Sequence, residues 1–246
     1  MKHETLIDSS FALGGFTSGK RGIWTRNEPA DPPTEDYTAL GEMLGIPLTR
    51  IVRPYQANGS KAAIVGAGHG GSGVIRGNDL TRTDALVTAQ KGLVLSIIAA
   101  DCAPVYLTEP EAGIIGLLHC GRQSAAGDLI RNAVGLMKEL GAAPGRIKMT
   151  IGPHICRSCY EVGEDVKSGF TGAFSTYELG EIFSTSDGRL FLDMGAAITI
   201  KAEREGILRE NIISSGDCTC HGNGYYSYRR GDRGMQDLAY LMMKQT

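Results

Sequence analysis

The chain has 246 residues, 42% hydrophobic and 21% charged, with a formal net charge of -2, enough apolar material for one sizeable core. Its 34 glycines follow no collagen-like period, and its 25 basic and 27 acidic residues include no basic run longer than Arg229–Arg230. This argues against nucleic acid or an anionic membrane as the partner and favours a small molecule. The longest apolar run, Leu93–Leu107, is interrupted by Ser96, Asp101, Cys102 and Pro104, so no membrane span is expected. Residues 1–15 carry Glu4 and Asp8 and lack the continuous apolar stretch of a secretory leader. Six cysteines in such a chain read as thiols or metal ligands in a reducing compartment, and a cytoplasmic location is expected.

In chain order, the prolines of Arg26–Asp36 predict a loop, and helical spacing predicts a helix over Tyr37–Leu44. Gly66–Gly77 reads as a second loop. The runs 93–100 and 113–119, divided by the turn-forming EPEAG, predict neighbouring buried strands. From Ser124, the positions Leu129, Ile130, Ala133, Val134, Met137 and Leu140 share one helical face that Gly141 terminates. Strand 148–153, helix 163–170, strand 189–194, helix 195–206 and strand 211–215 complete the alternation. Together these predict an α/β fold, a mixed β-sheet flanked by helices, as a single domain over residues 1–246.

The residues that can carry chemistry cluster at strand ends. Cys102 follows Asp101 near the end of the first apolar strand, and His119 ends the next, so adjacency would bring the thiol and imidazole together. Such a pair can be nucleophile and base, or two ligands of zinc or copper; the plain alternative for each is a packed core residue. A second set comprises Cys156-x-x-Cys159, preceded by His154, and Cys218-x-Cys220-His221. These resemble two half-sites of a structural zinc with Cys156, Cys159, Cys218 and Cys220 as ligands and His154 and His221 in reserve. Loop cysteines packed without metal are the competing explanation. Tyr225, Tyr226 and Tyr228 before Arg229 and Arg230 read as an alternating aromatic strand that could stack a base or hold a phosphate, or as a solvated edge strand.

The ordered motifs TDALVT (83–88), ADCAPVYL (100–107), LHCG (118–121), IGPHICRSCYEVGEDV (151–166), FLDMGAA (191–197) and SYRRGDRG (227–234) resemble the YfiH-like laccase-domain family over roughly residues 48–240. Its members are described as multicopper polyphenol oxidases, purine nucleoside phosphorylases with adenosine deaminase activity, and peptidoglycan editing factors. The resemblance implies an α-β-α sandwich and a His, Cys, His metal site, of which Cys102 and His119 match the second and third ligands. The first falls in Gln56-Ala57-Asn58-Gly59, where Asn58 replaces the histidine. An amide hydrogen-bonds well but ligates zinc weakly. The family's tryptophan-containing motif after the metal histidine is Gly121-Arg122-Gln123-Ser124, its I-G-P-C cysteine is His154, and its N-terminal G-G-V-S loop is absent around Gly19–Gly22.

Three functions follow as expectations. The first is metal-assisted purine nucleoside chemistry, with zinc or possible copper held by Cys102, His119 and an unassigned third ligand, His69 being one candidate, and with Asn58, Arg122 and Arg229 binding nucleoside and phosphate. The second is a metal-free hydrolase with Cys102 as nucleophile and His119 as base. The third is a diverged ligand-binding or peptidoglycan-editing protein with weakened catalysis. Five histidines are too few for a multicopper centre. A monomer or weak homodimer is expected.

Overall fold

A computed structural model describes residues 2–18, 34–222 and 224–244. The chain opens with β1 (Lys2–Asp8) and β2 (Ala12–Ser18), then α1 (Thr34–Leu44), β3 (Ile51–Val52), β4 (Ala62–Ile64), β5 (Ala85–Thr88) and β6 (Val94–Ala99). β7 (Ala103–Glu109), β8 (Ile114–Cys120), α2 (Arg122–Ala126), α3 (Leu129–Glu139) and β9 (Lys148–Ile151) follow. The remainder comprises β10 (Glu161–Val162), α4 (Glu164–Thr171), α5 (Thr176–Ile182), β11 (Phe183–Ser186), β12 (Arg189–Leu192), α6 (Met194–Arg204), β13 (Ile212–Ser214) and β14 (Asp237–Met243).

The α/β class is borne out, with several mixed sheets in place of one. A five-stranded sheet runs β1-β2-β14-β6-β3, a six-stranded sheet β13-β9-β7-β8-β5-β4, and a small sheet β10-β12-β11. The two large sheets bury Phe16, Leu95, Ile97, Ala239 and Leu241 of one against Leu86, Tyr106, Ile115 and Leu117 of the other. On the outer face of the six-stranded sheet, α3 and α6 pack Leu129, Ile130, Ala133, Val134, Met137, Ala197 and Ile198 onto Val87, Val105, Leu107 and Leu118. α1 sets Tyr37 and Leu40 against Ile51, Val94, Ile98 and Tyr240 on the far side. Strands covered on both faces become continuous apolar runs, which is why the sequence hides the division into two sheets.

This layering corrects the expected adjacency. Runs 93–100 and 113–119 belong to different sheets, β6 pairing with β14 and β3, and β8 with β7 and β5. EPEAG instead closes the β7/β8 hairpin, whose register sets Pro104 opposite His119. Pro104 sits in β7 opposite His119, and although it has no N–H to donate, its carbonyl still accepts from Gly152 N at 2.8 Å. The single helix expected from Ser124 is two, α2 and α3, parted at Gly127. The expected 26–36 loop ends earlier, since α1 begins at Thr34; its residues 26–33, and the segment around Gly19–Gly22, lie outside the described residues.

Candidate active site

The hairpin register brings Cys102, immediately before β7, to His119 near the end of β8. The His119 ring, 6% exposed, meets Asp84 Oδ1 at 3.0 Å through Nδ1 and lines the same cavity as Cys102. Asp84, wholly buried at the start of β5, also accepts from the backbone N–H groups of Ala57 at 3.1 Å, Asn58 at 3.0 Å and Gly59 at 2.8 Å. One carboxylate therefore orients the imidazole and cradles the Asn58 loop. Gln56 fixes the start of that loop by a two-way amide pairing with Ile98, N–H and C=O each at 2.8 Å. Asn58 adopts φ 56, a left-handed conformation asparagine tolerates, and its Oδ1 lies 3.8 Å from Cys102 Sγ.

The electrostatics follow from these contacts. Burial works against a charged His119, but the adjoining Cys102 sulfur and the Asp84 carboxylate overcome it and raise its pKa to about 10. For Asp84, burial would raise the pKa, yet the His119 bond and the loop N–H groups hold it below the ordinary carboxylate value. Asp101, at φ 80, braces the neighbouring wall: its carboxylate accepts from Thr219 Oγ1 and Arg229 N, both at 2.7 Å.

Above Cys102 and His119 opens a cavity of about 900 Å3, lined also by Asn58, Arg122, Gln123, Tyr160, Tyr228, Arg229 and Arg233. The volume suits a nucleoside-sized ligand. Arg229 lies over the Tyr160 ring at 5.1 Å and donates to Glu161 O at 2.9 Å. Asn58, Arg122 and Arg229 thus share one cavity with the Cys102–His119 pair. His69 does not line it; it closes a tight turn in which its Nδ1 accepts from Gly66 N at 3.1 Å.

The tyrosine segment is not the expected strand. Asp232 accepts from Ser227 N and Asp101 takes Arg229 N, which bends residues 225–229 into turns. Tyr225 hydroxyl bonds Glu4, whereas Tyr228 stays exposed with Arg233 over its ring. Arg230 is spent on the backbone, donating to the carbonyls of Thr219, Cys220 and Tyr225. In the cysteine loops, the ligand atoms of Cys156, Cys159, Cys218 and His221 lie within 4.8 Å of one another, so His221 stands where Cys220 was expected. His154 is apart from them, its Nδ1 at 2.8 Å from Gly152 O. Sequence reasoning missed Asp84 altogether. Its signal is an acid set directly before the wholly buried strand Ala85–Thr88, inside the TDALVT motif.

Residues 21–243 match the family profile described as multi-copper polyphenol oxidoreductase laccase, and the chain belongs to that family. It is 35% identical over 218 residues, 89% of this chain and 81% of the relative, to a purine nucleoside phosphorylase of Streptomyces coelicolor. It is 30% identical over 193 residues, 78% of this chain and 74% of the relative, to adenosine deaminase RL5 of an unknown prokaryotic organism. Among solved structures it resembles YfiH of Bacillus licheniformis, with a TM-score of 0.85 and 25% identity over 95% of this chain and 93% of that one. YlmD of Geobacillus stearothermophilus gives a TM-score of 0.83 and 26% identity over 95% and 92%.

The copper in the family's description does not fit this cavity. Beside Cys102 and His119 the next donor is the Asn58 amide, and the lining carboxylates Asp101 and Asp232 are already engaged by Thr219, Arg229, Ser227 and Arg230, so the cavity falls short of the three strong protein ligands that a catalytic zinc takes and far short of a copper cluster. Among the described residues, the one group of three or more His, Cys, Asp or Glu donors close enough to share an ion is the Cys156, Cys159, Cys218 and His221 set.

Proposed function

We propose that the cavity binds a purine nucleoside together with phosphate and cleaves the N-glycosidic bond by phosphorolysis. The observation that carries this reading is the Asp84–His119 hydrogen bond, which sets the imidazole beside Cys102 in a cavity with arginines on its wall. The names of relatives that match nearly nine-tenths of the chain support it. In this reading a phosphate oxygen attacks C1′ of the ribose as the bond to the purine breaks. His119, held protonated by Asp84 and Cys102, donates the proton that the departing base takes up. Arg122 and Arg229 hold the phosphate, and the Asn58 amide faces the base. A panel of adenosine, inosine and guanosine, assayed with and without phosphate for free base and ammonia, tests the proposal. Phosphate-dependent base release supports it. Ammonia from adenosine without phosphate would assign deamination instead, and an inert panel would remove the nucleoside reading.

The same three residues favour a second reading. A cysteine beside a protonated histidine that a carboxylate orients forms the constellation of a thiolate nucleophile paired with an imidazolium. Hydrolysis of activated esters by the metal-free chain, abolished by alkylation of Cys102, would support it.

A further inference from the structure

Apart from the residues that line the cavity, two loops meet at four donor atoms. The first is the turn Cys156-Arg157-Ser158-Cys159, in which Cys159 N donates to Cys156 O at 3.1 Å. The second runs from Cys218 to His221 and is closed by Gly222 N donating to Cys218 O at 2.9 Å. The loops are stitched together by a parallel bridge between His154 and Cys218, with His154 N donating to Asp217 O at 3.2 Å and Thr219 N to His154 O at 3.1 Å. All four cysteine and histidine donor atoms of Cys156, Cys159, Cys218 and His221 fall within 4.8 Å of one another, and none of the cysteines is in a disulfide.

We propose that Cys156, Cys159, Cys218 and His221 bind one zinc ion as a structural site separate from the cavity. Bond lengths of about 2.3 Å to sulfur and about 2.0 Å to nitrogen place tetrahedral donors roughly 3.5–3.8 Å apart. His221 Nδ1 lies 3.7 Å from Cys156 Sγ and 3.2 Å from Cys159 Sγ, so the shell closes with movements below an ångström. The spacings are those of paired zinc half-sites, C-x-x-C on one loop and C-x-x-H on the other. Cys156 N donates to Cys218 Sγ at 3.3 Å, the kind of backbone bond that supports a metal-bound thiolate. Three soft thiolates and an imidazole in tetrahedral array select zinc over hard, oxygen-seeking cations. Four protein ligands leave no open position, which makes the site structural.

Its position gives it a consequence. The 156–159 loop leads straight into Tyr160 and Glu161, which Arg229 contacts, and Thr219 within the second loop braces Asp101 beside Cys102. The ion would tie together the two segments that make these contacts.

The test is zinc content per chain after purification without chelator, in the wild type, in the Cys102→Ser/His119→Ala double variant and in Cys159→Ser/His221→Ala. The proposal expects about one zinc in the first two and less than about a fifth of that in the third. Because the third variant could fold poorly, the wild type is also stripped and titrated with cobalt(II) alone. One equivalent should produce thiolate-to-cobalt charge-transfer absorption with the intense visible bands of a tetrahedral site. Zinc that follows Cys102 and His119 instead, cobalt binding without a thiolate band, or a disulfide among the three cysteines in chain kept reduced throughout would each overturn it.

Discussion

Asp84 holds more of the site than any other side chain, because one buried carboxylate serves the His119 ring and three loop N–H groups at once. Asp84→Asn keeps the shape but replaces an oxygen facing those donors with an amide that cannot accept them all. Loss of oriented, protonated His119 should lower turnover by about 10^2–10^4-fold. The loop, left with poorly paired donors, should cost about 2–4 kcal/mol in urea denaturation. Asn58 gives a second test at this scale. Histidine tolerates the same left-handed backbone, so Asn58→His would supply a third strong ligand beside Cys102 and His119. With the Cys159→Ser/His221→Ala changes as background, that substitution should raise bound zinc from near zero to near one per chain.

Asp237 is one residue through which pH should act on stability. It is 1% exposed, and burial raises its carboxyl to about 8 despite the Tyr226 N–H it accepts at 2.8 Å and the nearby Arg230. The folded chain therefore keeps a proton that the unfolded chain gives up near its ordinary value of 3.8. The associated stability is fully present below about pH 4 and is lost as pH rises toward 8. Asp237→Asn, which retains an acceptor for Tyr226 N, should flatten that decline. Its stability relative to wild type should improve by on the order of 2–3 kcal/mol between about pH 5 and pH 8, read from thermal or urea unfolding at each pH.

Among the elements, the turn from β8 into α2 packs directly against Cys102 and Asn58. Gly121 has φ -86, open to any residue, yet an added Cβ would come 2.8 Å from Asn58 Oδ1 and 2.9 Å from Cys102 Sγ. Gly121→Ala should consequently fold, shift the thermal midpoint little, and lose most activity, with alkylation of Cys102 slowed. Here the sequence was only partly legible. α3 could be read because its apolar face is continuous and its outer face polar. β7 could not be read apart from β6, because Cys102 and Pro104 sit in one apolar run that crosses from one sheet to the other. β14 was invisible for a related reason. It is the central strand between β2 and β6 and is buried along its whole length, so it shows no alternation. His221 was legible only as a reserve ligand because Cys220 beside it offered a thiol, whereas the turn geometry that selects position 221 exists only once Gly222 closes on Cys218.

At the scale of the whole molecule, two sheets packed face to face deliver the loops that follow β6 and β8 to one end of the sandwich, with the Gln56–Gly59 loop pinned between them. Cys102 and His119 were legible as a pair through the colinear motifs, and the hairpin that joins them was not. We propose this end of the sandwich as the place where purine nucleosides are phosphorolysed, with His119 as proton donor. The most direct measurement is the yield of free base and ribose 1-phosphate from inosine and phosphate, for wild type and His119→Ala at equal concentration. The wild type should give equal amounts of the two products, none without phosphate, and the variant at least about a hundredfold less. Base release that persists in His119→Ala, or that yields free ribose in place of ribose 1-phosphate, would contradict it.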